Sequence, residues 1–565
     1  MMKNKQFLSL APAPVQEKKG NDGFLIWWMV ILILAKLWLV EAQDFLATYT
    51  PHDDYLFIKL AKHILSGAWL GPYDQVTLVK GPVYPLFIAL GNLLGIPLLL
   101  FQHLLYSGIC VVAVMAFRPL LGKQWLFLFL FFFLLFNPFT YVYPATGRAF
   151  RFGLSVPLVL AFFSCMGAML LRVQSSLASQ LRWSIATAAV FALLWYTREE
   201  GIWLLPSLGL FLLYFLFTPS PFRSKKIIKK VALLLPVPIL FLGLTVILSL
   251  LNQKYYGAGC IIELKSPEFQ SALGNLMNIN EVENNRFVVV SRKNQEAAFA
   301  VSPTFRKLKP YFEEAQKGPH LPQSFYIWVL RDMVDKSGNC DTLPEALEFY
   351  RKIGEEIHDA CESGKISCLD RKPTIKPRWK AKYVQLIPET FWDIFATGIS
   401  FRHFRTTHGD FLRTTTAPAK MIQDYRFVTR EKIAPGHRHK IKEYPEYVKR
   451  LMEEKFRLLV DIGNSYKKII PFLFSIALLI HFIIIGRAIK RREVDFASAY
   501  GSIILVGMLS LTSVLTYVKI TLWGVTRPLM SIYPLVLLYI SMMFIFSCTF
   551  IKKHTPDAHR RGTRC

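Results

Sequence analysis

The sequence predicts an all-α integral membrane protein, a bundle of about ten transmembrane helices with a soluble domain inserted between spans seven and eight. Apolar residues make up 53% of the 565-residue chain, concentrated in runs close to the roughly 20 residues that cross a hydrocarbon core. Lys and Arg are frequent in the short loops between these runs, where they set orientation. A hydrophilic stretch of roughly 210 residues interrupts the runs, a normal size for a mainly α or α+β domain.

The net charge of +28 would point to nucleic acid in a soluble protein. Here much of the positive charge lies in loops between apolar runs, where Lys and Arg set the orientation of the spans in the membrane. We therefore expect membrane lipids, and no nucleic acid, as partners.

Three cysteines, Cys340, Cys361 and Cys368, cluster in the hydrophilic stretch. A disulfide among them would suit an oxidising compartment, and we expect Cys361 to pair with Cys368. No CxxC motif or paired histidine accompanies them, so a zinc site is not expected.

The polar N-terminal tail, residues 1–23, carries four lysines before the first apolar run, Phe24 to Val40. This charge asymmetry predicts a span whose N-terminus stays in the cytoplasm. The run is longer than the apolar core of a signal peptide, so we interpret it as a retained anchor.

The next apolar segment, Val83 to Gly95, is too short to span comfortably and predicts a helix lying in the membrane interface. Longer runs follow at about 97–117, 124–137, 151–171, 183–196, 202–217 and 229–251. With an interfacial 83–95 segment, the basic loops alternate onto the cytoplasmic side. Residues 24–251 thus form an N-terminal transmembrane module, and residues 42–96 form its first external loop.

By the same alternation the hydrophilic stretch, residues 252–468, is an external domain. Three more runs, at about 469–486, 496–518 and 527–549, give a C-terminal transmembrane part, residues 469–551. Both the N-terminal tail and the C-terminal tail, residues 552–565, are then cytoplasmic.

Ionisable residues in four predicted external loops are hard to explain as ordinary solvated surface residues. Charges placed against apolar helices cost free energy of desolvation unless they are paired or functional. They are Asp53, Asp54, Lys80, Arg148, Arg151, Arg198, Glu199, Glu200 and Arg527. We expect one of the two aspartates to lie within about 10 Å of at least two of the cations, a generous reach for side chains that share one phosphate-bearing substrate.

These residue types suit a transfer in which a phosphate leaves. A carboxylate takes or orients the proton of the attacking hydroxyl, and cations hold the phosphate. Asp53 and Asp54 cannot both be buried and ionised cheaply, so one would be the base and the other an orienter or a ligand of a divalent cation such as Mg²⁺ or Mn²⁺. His52, Glu199 and Glu200 would orient the substrate.

Structural roles are the alternative for each group. His52, Asp53 and Asp54 could cap a helix that begins at Tyr55. Arg198 could pair with a neighbouring glutamate to pin two helix ends. The remaining arginines could anchor spans to headgroups, and they are Arg148, Arg151 and Arg527.

Three segments resemble the GT-C superfamily of polyprenyl-phosphate-sugar-dependent glycosyltransferases, which includes protein O-mannosyltransferases and bacterial lipid A aminoarabinose transferases. The first is the Asp53-Asp54 loop followed by Lys80–Leu86 (KGPVYPL). The second, Thr197–Pro206 (TREEGIWLLP), resembles the Arg-Glu-Glu turn before a later span. The third, Thr526–Pro534 (TRPLMSIYP), resembles an Arg-Tyr-x-x-Pro element, with Pro528 where an aromatic residue is usual.

The resemblance implies a GT-C-like bundle in a bacterial cytoplasmic membrane, with a periplasmic domain. It implies that Asp53 or Asp54 is the catalytic acid-base residue. It also implies that Lys80 and the arginines bind the donor phosphate of a polyprenyl-phosphate-linked sugar. The acceptor would be a glycan, a lipid or a protein, and the anomeric centre would be inverted. A lipid-linked-glycan flippase and a structural component of an envelope assembly are the alternatives.

Overall fold

The structure, a computed structural model, describes residues 22–48, 50, 52–141, 146–198, 201–217, 226–280, 287–316, 326–402, 404, 417–433, 445–522 and 527–554. These residues form helices and no β-strand, apart from one isolated bridge between Ile279 and Cys368. Nine of the helices in the described part are long and apolar enough to cross a membrane. The predicted all-α membrane fold is therefore confirmed.

In the first half of the chain, the described residues form ten α-helices. They are α1 (Asp22–Val40), α2 (Asp54–Leu65), α3 (Val83–Leu93), α4 (Leu98–Phe117), α5 (Gln124–Leu135), α6 (Phe152–Leu171), α7 (Leu177–Thr197), α8 (Leu205–Phe217), α9 (Lys226–Leu234) and α10 (Pro236–Tyr256).

In the second half, the described residues form shorter α-helices and then three long ones. The shorter ones are α11 (Pro267–Asn278), α12 (Arg292–Val301), α13 (Pro303–Arg306), α14 (Lys309–Gln316), α15 (Tyr326–Lys336), α16 (Leu343–Glu362), α17 (Ile387–Ile399) and α18 (Ala419–Thr429). The long ones are α19 (Glu446–Arg491), α20 (Phe496–Thr521) and α21 (Tyr533–His554).

The ten predicted spans all fall on helices. Nine coincide with the long apolar helices, and the tenth, about 202–217, falls on the shorter apolar stretch Gly201–Phe217. Val83–Leu93 is also short and apolar, and its interfacial position stays a prediction. The helix α19 has 46 residues, roughly 69 Å at 1.5 Å per residue, and it runs without a break through residue 468, where we placed the domain boundary.

The disulfide that we expected is present, since Cys361 and Cys368 are joined. The disulfide links the last turn of α16 to the loop that follows it. In this loop, Cys368 forms the β-bridge with Ile279, which directly follows α11.

The centre of the bundle is α6, whose every residue is buried. It packs against α4, α7 and α21, and its small residues allow close approach. Gly167 lies against the rings of Phe117 and Tyr500, and the Tyr500 hydroxyl donates to the Phe163 carbonyl at 2.8 Å. A helix that is apolar on all sides is expected at such a position.

The direction of the helices places several ends on one side of the bundle, which we call the site side. Along α20, Tyr500 lies beside Gly167 and Gly507 lies beside Phe163, so α20 runs antiparallel to α6. The start of α6 and the end of α20 therefore share a side. The backbone N–H of Leu46, just after α1, donates to the Gly147 carbonyl, so α1 ends on this side too.

A lysine inside the first span joins α1 to the end of α5. The Lys36 side chain is fully buried, and its Nζ donates to the Leu135 carbonyl at 2.6 Å and lies 4.5 Å from the Tyr106 ring centroid. The Tyr106 hydroxyl donates to the Leu134 carbonyl. The last carbonyls of a helix have no hydrogen-bond donor within the helix. The side chains of Lys36 and Tyr106 supply donors to two such carbonyls at the end of α5.

We expect Lys36→Met to lower the stability of the purified protein by about 1–3 kcal/mol, because a buried carbonyl loses its donor. Thermal unfolding in detergent measures this. Leu34→Met is the matched control, since Leu34 is 59% exposed on the same helix. Equal unfolding temperatures for the two variants would contradict a structural role for Lys36.

Candidate active site

The two adjacent aspartates have different environments. Asp53 is the N-cap residue of α2, yet its side chain makes no capping hydrogen bond. Its carboxylate is 39% exposed and faces Lys80, whereas the Asp54 side chain is completely buried and faces Arg148. Capping thus does not account for the Asp53 side chain, which leaves it available for another role.

Asp54 ties the start of α2 to the loop before α6. The Arg148 Nε donates to Asp54 Oδ2 at 2.6 Å, and the Thr48 hydroxyl donates to the same oxygen. Burial raises the pKa of Asp54 above its usual value, although the charge of Arg148 and the Thr48 hydrogen bond oppose the shift. A buried carboxylate with these partners holds its neighbours in place and has no contact with solvent.

Asp53 forms an ion pair with Lys80, with Nζ 2.5 Å from Oδ1. The same Nζ donates to the His52 carbonyl. Burial alone would raise the pKa of Asp53, but Lys80 and, more weakly, Arg151 and Arg148 lower it below its usual value. Asp53 is therefore ionised at neutral pH while still partly exposed.

Aromatic rings surround the Lys80 ammonium, which lies 5.2 Å from the Phe57 ring centroid and 5.3 Å from that of Trp328. Rings at this distance attract a cation through their quadrupole. They also exclude water from a charge that is already paired. The side chain is only 6% exposed, so this lysine is positioned before any ligand binds.

Gly81 brings the Lys80 loop against the end of α7. A Cβ at this position would lie 1.9 Å from the Tyr196 carbonyl oxygen, so no other residue fits without a backbone shift. The next carbonyl of α7, that of Thr197, accepts from Arg151 Nη1 at 3.2 Å. The close approach therefore places Arg151 in the same region as Lys80.

Three of the four arginines that we predicted for the site each lie against an aromatic ring. The guanidinium carbon of Arg148 is 5.5 Å from the Phe150 ring centroid, and that of Arg151 is 5.7 Å from the Phe57 centroid. Arg198, just after α7, lies 4.7 Å from the Phe152 centroid. Such stacking leaves the edge of a guanidinium able to bind oxygens.

Helix α15, from the hydrophilic stretch, contributes residues that the sequence analysis missed. The His52 Nε2 lies 3.1 Å from Asp332 Oδ2, and the ring centroids of His52 and Trp328 are 5.1 Å apart. Trp328 also contacts Lys80. His52 and Asp332 are 280 residues apart in the chain, and no motif marks the side chains of α15, so only tertiary structure could reveal them.

One turn of α15 also clamps the loop that leads to Lys80. Arg331 Nε and Nη2 donate to both carboxylate oxygens of Glu263, at 2.9 and 2.6 Å. The same guanidinium donates to the carbonyls of Asp74, Gln75 and Thr77. Both charged side chains are essentially buried. A charge pair of this kind orders the loop because leaving any of these groups unpaired would be costly.

The structure brings together most of the residues that we predicted for the site. Each aspartate is in direct contact with one predicted cation, Asp53 with Lys80 and Asp54 with Arg148, and the charges of Arg151 and Arg148 also act on Asp53. His52, Asp53, Asp54, Lys80, Arg148 and Arg151 form one cluster on the site side, and Arg198 follows α7 beside it. Glu199 and Glu200 lie outside the described residues. Arg527 begins the 3₁₀ turn Arg527–Ile532, and its side chain is not among those described.

Within the described residues, no three His, Cys, Asp or Glu side chains lie close enough together to hold a metal ion. The divalent cation considered from the sequence stays a prediction. The basic side chains of the cluster supply positive charge on their own, which is what a phosphate oxygen requires.

No family model and no curated protein sequence matches the chain significantly. Among solved structures it is similar to ArnT from Cupriavidus metallidurans bound to undecaprenyl phosphate, with 13% identity over 95% of this chain and 82% of that one and a TM-score of 0.32. The apo form of the same protein gives 13% identity, 93% and 77% coverage and a TM-score of 0.31. TM-scores this low establish no shared function.

We expect Arg331→Gln to destabilise the protein by roughly 3–5 kcal/mol, because the Glu263 carboxylate would be left buried without its partner. Thermal unfolding in detergent measures the loss. The double variant Glu263→Gln, Arg331→Gln should recover part of it, since no unpaired charge remains.

Arg351→Gln is the matched control, because Arg351 pairs with two glutamates on the exposed face of α16. It should leave the unfolding temperature unchanged. A similar loss in both single variants, or no recovery in the double variant, would contradict the clamp.

Proposed function

We propose that the protein is a membrane glycosyltransferase that moves a sugar from a polyprenyl-phosphate carrier to an acceptor hydroxyl outside the cytoplasmic membrane. One observation carries the proposal. A partly exposed, ionised carboxylate, Asp53, lies in contact with a preset lysine and near two arginines, at one end of an apolar helical bundle. This is the combination that a lipid-borne phosphate leaving group and a hydroxyl nucleophile require.

Asp53 would act on the acceptor. Its carboxylate would accept the proton of the acceptor hydroxyl as the oxygen attacks the anomeric carbon of the sugar. The bond from that carbon to the phosphate oxygen breaks, and the carrier phosphate leaves with the bonding electrons. Attack on the face opposite the leaving group inverts the anomeric centre.

Lys80 and Arg151 would stabilise the departing phosphate. The charge on the bridging oxygen grows as its bond to carbon breaks, so cations fixed beforehand bind the transition state more strongly than the ground state. Lys80 is held by a backbone carbonyl and two rings, and Arg151 by the end of α7. Neither has to reorganise during the reaction.

Asp54 would be a positioning residue. It is fully buried against Arg148 and Thr48, so it would hold Arg148 and the start of α2 without touching substrate. This assigns the base role to Asp53, which the sequence left open between the two aspartates.

The proposal also covers the lipid carrier of the sugar and the side of the membrane on which the reaction takes place. Lys80 and the arginines lie where apolar spans end, so a phosphate bound there can keep its hydrocarbon chain in the bilayer. The acceptor, a glycan, a lipid or a protein, would approach from the side that carries residues 252–468. A lipid-linked-glycan transporter or an envelope assembly component is the alternative, and neither needs a base.

We expect Asp53→Asn to lower kcat by a factor of about 10²–10⁴, the usual contribution of a general base, with little change in unfolding temperature. Mass spectrometry of lipid-linked intermediates and envelope glycans, from cells carrying this variant in place of the native gene, measures turnover. Unextended acceptor should accumulate as in cells that lack the gene.

Asp370→Asn changes an exposed aspartate of the hydrophilic stretch and is the control, with native glycans expected. Asp54→Asn should instead lower stability, because Arg148 loses its partner. Normal glycans in the Asp53→Asn cells would contradict the enzyme and favour a scaffold or transporter.

The pH dependence of turnover follows from the Asp53–Lys80 pair. An ionised Asp53, with its pKa below the usual value, stabilises the fold above its unfolded pKa. It loses this contribution as pH falls through the lower folded pKa. The acidic limb of kcat/KM should therefore lie below the ordinary aspartate range. In Lys80→Met the acidic limb should move to higher pH. Burial raises the pKa of Asp53, and the largest opposing charge, that of Lys80, is then absent.

Lys62→Met is the control for this profile, since Lys62 is half exposed and pairs with Asp424 instead. Its acidic limb should coincide with that of the native protein. A limb in Lys80→Met that stays in place or moves to lower pH would exclude Asp53 as the base.

A further inference from the structure

Residues 371–382, which we call the basic strip, are the most positive segment of the hydrophilic stretch that the structure describes. Twelve residues (RKPTIKPRWKAK) contain six cations and no acid, and most of the cations are exposed. None of the six forms an ion pair with a carboxylate of the described residues. Burial, and then the charge of Arg378, lower the pKa of Arg371, as expected where like charges gather.

The basic strip is fastened to the end of a membrane span. The hydroxyl of Tyr517, in the last turns of α20, donates to the Pro377 carbonyl at 2.9 Å. The Tyr517 ring stacks on Trp379 with centroids 5.9 Å apart and planes 20° apart. Because α20 ends on the site side, these contacts hold the strip at that surface of the bundle.

The helix that follows the strip packs among span ends. Gly398 of α17 lies against Ile532 and Leu529, in the turn before α21. Phe395 contacts the ring of Phe474 in α19. Helix α17 therefore lies on the bundle itself, although it belongs to the stretch that the sequence predicted to be external.

The outer surface of this region is apolar and aromatic. Trp392 is 66% exposed, Val384 is 55% exposed and Trp379 is 39% exposed. On an element packed against membrane spans, such side chains face lipid. Aromatic residues concentrate where hydrocarbon meets headgroups, and lysines or arginines next to them reach the phosphates.

We propose that residues 371–402 form an interfacial element whose basic strip binds anionic glycerophospholipid headgroups of the leaflet on the site side. Helix α17, with Trp392, lies at the level of the upper hydrocarbon chains. The unpaired cations of the strip contact lipid phosphates just above. A positive surface at this depth attracts anionic lipid over zwitterionic lipid, and the attraction weakens with salt because it acts within a Debye length.

The geometry also gives the strip a role beside the site. It shares a membrane surface with Lys80 and Arg151, so a layer of anionic headgroups gathers along one flank of that surface. This lipid contact is independent of any transferase activity, and its absence would leave the proposed reaction untouched.

The test uses the full-length protein in nanodiscs of equal parts phosphatidylcholine and phosphatidylglycerol. Native mass spectrometry counts the lipids that stay bound when the protein leaves the disc. We expect phosphatidylglycerol to exceed phosphatidylcholine by about threefold or more, as a cluster of exposed cations near a bilayer requires. Raising the salt concentration during reconstitution should reduce the ratio.

The variant Lys372→Gln, Lys376→Gln, Arg378→Gln, Lys382→Gln should bring the ratio close to one. Its matched control, Lys293→Gln, Lys307→Gln, Lys309→Gln, Lys352→Gln, removes the same charge from exposed positions in the region of α12–α16, and it should keep the native ratio. All four substitutions of the strip are at exposed residues, so both proteins should fold, and unfolding temperatures check this.

An unchanged ratio in the strip variant, or an equal fall in the control, would overturn the proposal. A third arm adds a soluble acidic polysaccharide. If the strip variant loses affinity for the polysaccharide while its lipid ratio stays native, the surface serves an anionic glycan, and the assignment to lipid is wrong.

Discussion

The buried ion pair between Asp54 and Arg148 is the interaction on which the candidate site depends. A carboxylate with no exposure is tolerated only when its charge is compensated, and here Arg148 and Thr48 both donate to Asp54 Oδ2, while Oδ1 accepts no hydrogen bond from the described residues. Because Thr48 lies in the loop after α1 and Arg148 in the loop before α6, the pair joins the start of α2 to the segment that leads into the central helix of the bundle. Asp53, the neighbouring residue, is thereby directed at Lys80.

The same constraint explains why the two aspartates differ. Adjacent carboxylates repel each other, so a fold that buries one must place cations near both. Arg148 serves the buried member, while Lys80, held by rings and a backbone carbonyl, serves the partly exposed one. Asp54 therefore has a structural role, while Asp53 stays available for chemistry, although both are aspartates and adjacent in the sequence.

The hydrophilic stretch is part of the site as well as a domain beside it. Helix α15 supplies Trp328 and Asp332 to the cluster, and Arg331 clamps the loop that carries Lys80. Further along, Tyr517 of α20 holds the basic strip, and α17 packs on the ends of the spans. At both of these places, segments that are hydrophilic on average thus reach back to the bundle through a few aromatic and charged side chains.

The sequence by itself determined the membrane class, the positions of ten apolar helices and the residue types of the site, because hydrophobic length and the cost of charges near lipid are local properties of the chain. It also indicated the Cys361–Cys368 pair from spacing and composition. Only the tertiary structure decided which carboxylate is buried, that α15 completes the cluster, and that α17 lies on the span ends. These depend on contacts between segments far apart in the chain, and neither periodicity nor composition encodes which distant side chain will meet a given charge.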